Sequence, residues 1–204
     1  MNFKKVGHGG TLDPFANGVL LVLIGRGATK QMDELLKMGK TYRAVLKLGE
    51  KTDTADTEGD IIFKSDIPSI DIEILHKISK EFIGEYLQTP PQYSAKKVNG
   101  KPAYKYARQG IKVELKAKKV NIYELTIDKI NNNQLEFVVT CSSGTYVRVL
   151  GEEIAEKLGT VGHLIKLTRE SIGEYTLENA ANLDAIPEAL DEEKKFLQAE
   201  VAVN

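Results

Sequence analysis

The stretch Gly7-His8-Gly9-Gly10-Thr11-Leu12-Asp13-Pro14 sets one ionisable carboxyl among three glycines and a proline. Glycine opens backbone conformations closed to other residues and lets a ligand come close. Pro14 fixes its own φ and biases Asp13 away from helical geometry. An aspartate on so stiff a loop, anchored by the apolar run Val19–Ile24 that follows, is suited to act as nucleophile or general base. An Asx-turn closing a Gly-rich connection uses the same residue types, and this stretch alone leaves both readings open.

A second concentration of chemistry lies between Lys96 and Lys119. Nine basic residues there (Lys96, Lys97, Lys101, Lys105, Arg108, Lys112, Lys116, Lys118, Lys119) face one acid, Glu114. The segment carries +8 and the remainder −9, in a chain whose net charge is −1. Tyr93, Tyr104 and Tyr106 interleave rings with this charge. Basic charge with aromatic interleaving is the footprint of a nucleic-acid surface, although a solvated lysine-rich face has the same composition.

Apolar periodicity supplies the elements that position these groups. Thr41–Leu48 alternates as a strand with Tyr42, Ala44, Leu46 and Leu48 on one face. Leu135, Phe137, Val139 and Cys141 line one face of a later strand. That strand runs into a helix with the stripe Val147, Leu150, Ile154 and Leu158, closed by Gly159. Arg148 lies in the first turns of this helix, whose free N–H groups suit an anion. Further helices are expected over Gly27–Gly39, with Thr29 as N-cap, and over Ile72–Phe82. Strands are expected over Ile111–Ile127 and Val161–Thr168, and an acidic helical tail from Asn179 onward. Gly49–Asp60 reads as a solvated acidic connection that lacks the EF-hand order. His76 reads as a surface residue and Cys141 as buried packing.

The 204 residues, 42% hydrophobic and 28% charged, are enough for a full core. A single cysteine excludes an internal disulfide framework and fits a reducing compartment. With no basic-then-apolar leader and no run near the roughly 20 apolar residues of a bilayer span, a cytoplasmic protein without membrane partners is expected.

Four separated stretches together resemble the TruB family of tRNA pseudouridine synthases. They are Gly7–Leu20 (GHGGTLDPFANGVL), Lys40–Tyr42, Gln88–Gly110 (QTPPQYSAKKVNGKPAYKYARQG) and Cys141–Leu150 (CSSGTYVRVL). The resemblance implies an α+β pseudouridine synthase fold, a mixed, mainly antiparallel sheet flanked by helices with a catalytic cleft. It implies isomerisation of uridine 55 in the T-loop of tRNA to pseudouridine, by base flipping, glycosidic cleavage and reattachment through C5. A monomer that binds the tRNA T-arm and uses no cofactor and no metal is expected. The alternative is a non-catalytic RNA-binding or tRNA-folding module that keeps the fold. By the same resemblance, residues 1–204 form one catalytic domain, with an RNA-binding thumb at about 88–119 and the acidic tail at about 179–204. The family's usual N-terminal Lys-Pro-x-Gly-x-Thr-Ser segment and C-terminal PUA domain are not expected.

Carried over position by position, Asp13 matches the catalytic aspartate, Tyr42 the tyrosine that stacks on the target base, and Arg148 the arginine that pairs with the aspartate. His8, Lys40, Tyr93, Lys96, Lys97, Lys101, Arg108 and Arg169 are the expected substrate-binding residues. Burial raises a carboxyl above its reference pKa of about 3.9, and a guanidinium within about 4–6 Å pulls it back; Arg148 is the motif residue suited to that task.

Overall fold

A computed structural model describes residues 5–182 and the backbone of Ala199–Ala202. The chain opens with β1 (Val6–His8), crosses the Gly-rich loop and returns as β2 (Asn17–Ile24), antiparallel to β1. Val19, Leu21 and Leu23 of β2 are fully buried, as their alternation demands. The expected single helix before Gly39 is two short ones, α1 (Gly25–Thr29) and α2 (Met32–Lys37). Thr29 closes α1 rather than capping its start, because its hydroxyl donates back to the Gly25 carbonyl at 3.0 Å.

β3 (Lys40–Leu48) follows with the expected face buried, then the hairpin β4 (Glu50–Thr52) and β5 (Ile61–Lys64). Helix α3 (Ile72–Phe82) spans the expected residues, and the Asp71 carboxylate caps it by accepting from the Ile74 N–H at 2.8 Å. His76 is exposed. β6 (Gly84–Gln88) leads into an excursion that carries β7 (Lys97–Val98), β8 (Lys101–Pro102) and α4 (Ala103–Ala107). Residues 111–117, expected as strand, are irregular. There the Gln92 amide bonds the Val113 backbone both ways, at 2.9 and 3.0 Å, and so takes the place of a neighbouring strand.

The long strand β9 (Lys118–Asn131) turns at Asn131–Gln134 into β10 (Gln134–Cys141), followed by α5 (Val147–Lys157) and β11 (Gly162–Ile172). β12 (Tyr175–Thr176), a single 3-10 turn (Leu177–Asn179), β13 (Ala181–Asn182) and β14 (Ala199–Ala202) complete the described elements. Where a helical tail was expected from Asn179, the described parts are the end of that 3-10 turn and two short strands, and residues 183–198 lie outside the described residues.

The main sheet runs β13-β14-β2-β11-β3-β10-β9-β6, antiparallel except at β2–β11 and β13–β14. Helices α3 and α5 cover one face: Leu75, Ile78 and Phe82 from α3 and Leu150 and Ile154 from α5 join Tyr42, Leu46, Phe137 and Val139 in the principal core. On the other face Arg43 bridges Glu136 and Glu170 at 2.8 and 2.6 Å, a solvated ion network. A smaller core sits around Val19, Leu21, Leu23, Leu35 and Ile172.

The parallel contact between β2 and β11 is only two residues long, Thr168 beside Asn17 and Arg169 beside Gly18. Gly18 has φ +113, and a Cβ there would collide with the Arg169 backbone. Gly18→Ala is therefore expected to cost at least about 2 kcal/mol of unfolding free energy in denaturant titrations. Glu153 on α5 gives a pH test. Burial, with Glu156 and Glu152 nearby, pushes its carboxyl from 4.5 up to about 7. The folded state then holds a proton that the unfolded state releases, so this group's contribution falls as pH rises between those values. Glu153→Gln should match wild-type Tm near pH 4 and exceed it near pH 8.

Candidate functional site

Asp13 sits on the loop between β1 and β2, which is tied at both ends. The Gly9 N–H donates to Leu21 O at 2.8 Å, and the Ala16 N–H closes a turn on Asp13 O at 2.9 Å. Beneath it, Arg169 is 1% exposed; its Nε donates to Val19 O at 2.7 Å and its Nη2 to Gly10 O at 3.0 Å. One guanidinium thereby clasps the backbone before and after Asp13. Arg169, one of the expected substrate-binding residues, is buried on backbone partners and braces the loop. Lys40, from the same expected set, is 7% exposed, and its ammonium donates to Leu36 O and Met38 O at 3.2 and 2.9 Å. Burial, then the Arg169 charge, push its pKa down.

Arg148 reaches Asp13 from the first turn of α5. No side chain caps that helix; the Gln88 amide accepts from the Tyr146 N–H at 2.7 Å and donates to Tyr146 O at 3.1 Å, locking the helix start to β6. The guanidinium meets Asp13 side-on, Nε to Oδ2 at 2.8 Å and Nη2 to Oδ1 at 3.1 Å, the two-pronged geometry that gives arginine–carboxylate pairs their strength. Nη1 donates to Thr54 O at 2.6 Å and Nη2 also to Tyr93 O at 3.0 Å. The arginine side chain is 4% exposed and the aspartate 37%, so the cation is sealed while the carboxylate stays open to a ligand.

The loop read as a solvated connection supplies the missing partner. Asp56 is buried, with Oδ2 3.4 Å from Arg148 Nη1. Its other oxygen accepts from the Thr54 hydroxyl and from the Glu58 N–H. Between them Ala55 adopts φ +63, an unfavourable conformation for a residue with a side chain, held by Leu164 N–H donating to Ala55 O at 3.0 Å. Sequence reasoning missed Asp56 because it is one acid among several in a polar stretch, with no periodicity to mark it as buried.

Thr11, Leu12, Asp13 and Pro14 form a wall shared by two hollows. On one side a cleft of about 520 Å³ is lined by Asp13, Arg148, Thr54, Asp56, Tyr93 and Ser94, with Tyr104 and Arg108 from the thumb. On the other a hollow of about 240 Å³ is lined by exposed His8 with Ala16 and Leu20. Tyr42 was expected on the apolar face of its strand and, by the resemblance, as the residue that stacks on the target base. It is 9% exposed and belongs to the principal core, which includes Ala16 and is covered by Leu12 and Phe15. The same alternation that placed it on the apolar face places it in that core, and it lines neither of the two hollows. Burial raises its phenol pKa, against the pull of Arg169, so the hydroxyl is neutral at physiological pH.

On the thumb, Lys96, Lys97 and Arg108 are exposed and Lys101 is half-buried. The Lys101 ammonium lies 4.5 Å from the Tyr106 ring centre and donates to Gln109, and Arg108 lies 5.5 Å from the Tyr104 ring. Tyr93 donates its hydroxyl to Asp53 at 3.2 Å. Cys141 is buried, which pushes its thiol up to about 11 and leaves it inert. Among the described residues no cluster of His, Cys, Asp and Glu could hold a metal ion, and no helix is long and apolar enough to cross a membrane.

The family model for the N-terminal domain of TruB family pseudouridylate synthases matches residues 1–147. The chain is 46% identical over 194 residues to tRNA pseudouridine synthase B of Francisella philomiragia, a match that covers 95% of this chain and 64% of that one. It is 42% identical over 199 residues to tRNA pseudouridine synthase B of Bordetella avium, covering 97% and 81%. Among solved structures, a chain from a crystal structure of a Cbf5–Nop10–Gar1 complex gives a TM-score of 0.69 at 26% identity, covering 94% of this chain and 48% of that chain.

The site's two carboxylates should respond unequally to neutralisation. Asp56→Asn removes a buried anion from a buried guanidinium and is expected to cost about 1–3 kcal/mol of stability. Asp13→Asn, at a partly exposed carboxyl, should cost less than about 1 kcal/mol. Chemical denaturation of both variants beside wild type measures the order, and the opposite order contradicts this account of how Arg148 is held.

Proposed function

The chain belongs to the TruB family of pseudouridylate synthases, and on that footing we propose that it isomerises uridine to pseudouridine in tRNA, at uridine 55 of the T-loop. The observation that carries this reading is the side-on pair of Asp13 and Arg148 at the wall of a cleft that the basic thumb overhangs. The chain spans 64% of the length of its Francisella relative, so the whole activity is proposed from the part that holds the site.

The reaction breaks the bond between C1′ of the ribose and N1 of uracil and forms one between C1′ and C5; the C5 proton is released to solvent and N1 gains one. A uridine inside folded RNA has to leave its stack first, which costs a few kcal/mol. Phosphate attraction to Lys96, Lys97, Lys101 and Arg108 offsets that cost in this reading, with His8 holding neighbouring bases beyond the Thr11–Pro14 wall. Asp13, kept in place by Arg148, either attacks C1′ or takes the proton that yields a glycal; both routes need an ionised carboxylate with a free face. Tyr42 supplies an aromatic surface and a neutral phenol for proton transfer. The ring is 9% exposed in the free protein, so a base reaches it only if the packing over it yields.

Two measurements test the reading. Tritium release from tRNA labelled at uridine C5 should occur with wild type and be abolished by Asp13→Asn, with tRNA binding retained. Binding without release by wild type would point instead to the non-catalytic RNA-binding module. Replacing Lys96, Lys97 and Lys101 by Gln should weaken tRNA binding and flatten the slope of log affinity against log salt by about 0.7–0.9 for each phosphate no longer neutralised. An unchanged slope would mark these lysines as solvated surface.

A further inference from the structure

We propose that the Ser94 hydroxyl is a further substrate-contacting group, hydrogen-bonding the polar edge of the extruded uracil; this rests on the function proposed above. Ser94 is 5% exposed, and its Oγ is one of two buried side-chain polar atoms without a hydrogen-bond partner among the described residues. The other, on Thr176, lines neither hollow beside Asp13. Ser94 lines the cleft together with Asp13 and Arg148. An unpaired buried hydroxyl is unfavourable, and folded proteins seldom keep one without a use.

Its surroundings narrow that use. Thr54 and Asp56 on the same wall bond each other, and the Tyr93 hydroxyl is taken by Asp53. The backbone around Ser94 is fixed on both sides: Tyr93 O accepts from Arg148, and Ser94 O accepts from the Tyr104 N–H of the thumb helix at 3.0 Å. The hydroxyl is therefore carried on a rigid frame between the guanidinium that holds Asp13 and the thumb. A serine hydroxyl has three staggered positions about χ1, and turning this one toward the cleft breaks no existing bond. It can donate to a uracil carbonyl or accept from the N3–H. An aspartate carboxylate only accepts, so Ser94 adds a donor that Asp13 lacks.

Wild type and Ser94→Ala are compared in thermal unfolding, in turnover, and in affinity for a T-arm stem-loop RNA with either uridine or an abasic site at the target position. Ser94→Ala is expected to leave Tm unchanged or raised, since it removes a polar group that has no partner. The preference for the uridine RNA over the abasic RNA should fall about tenfold, with kcat/KM falling alongside and abasic affinity unchanged. An unaltered preference overturns the proposal, as does a lowered Tm, which would give the hydroxyl a partner inside the protein. So does a wild type that binds both RNAs equally. A wild type that prefers uridine RNA but releases no C5 tritium overturns the catalytic function alone, and the preference ratio still decides the role of Ser94.

Discussion

Everything around the cleft depends on satisfying one buried guanidinium. Stripping an arginine of water costs several kcal/mol unless each face of its charge is met by acceptors. Arg148 meets Asp13, the Thr54 carbonyl, the Tyr93 carbonyl and Asp56. These partners come from the Gly-rich loop, the strained loop before β5 and the root of the thumb. Three segments far apart in sequence are thus held in register by the need to bond one side chain, and the helix bearing it is pinned by Gln88. Of the two carboxylates on this guanidinium, Asp56 is sealed and Asp13 is open, so the charge that binds the frame together also leaves a single carboxylate turned outward.

A second arginine does comparable work from below. Arg169 ties the backbone on both flanks of Asp13, and Gly18 lets β11 come close enough for it to do so. The carboxylate is therefore fixed twice, its side chain by Arg148 and its main chain by Arg169. Such double constraint narrows the positions the carboxylate can take.

Elements with one dry face were legible in the sequence. The alternation in β3 and β10 and the stripes of α3 and α5 marked their buried faces correctly, because packing on a single sheet face imposes those periods. Groups whose burial is compensated by backbone were not legible. The carbonyls that hold Lys40 and Arg169 lie outside any local pattern, so nothing in their sequence surroundings announces them. Asp56 read as solvated for the converse reason, since its partner Arg148 arrives from a helix far along the chain. Tyr42 lies on the face its alternation marks, but how deeply it is covered was not legible, as periodicity fixes a face and says nothing of what covers it. The strand order and the short parallel join of β2 to β11 likewise depend on contacts no local pattern encodes.

That short join has a bearing on how the molecule is made. Strand β2 reaches β3 only through β11, and Arg169 follows its partner Val19 by 150 residues. Closing so distant a contact comes with a large loss of chain entropy and is slow compared with local pairing. During synthesis the hairpin of β9 and β10 can zip as soon as it emerges, whereas the loop bearing Asp13 has no floor until Arg169 has left the ribosome. The basic thumb is consequently made before the centre it overhangs.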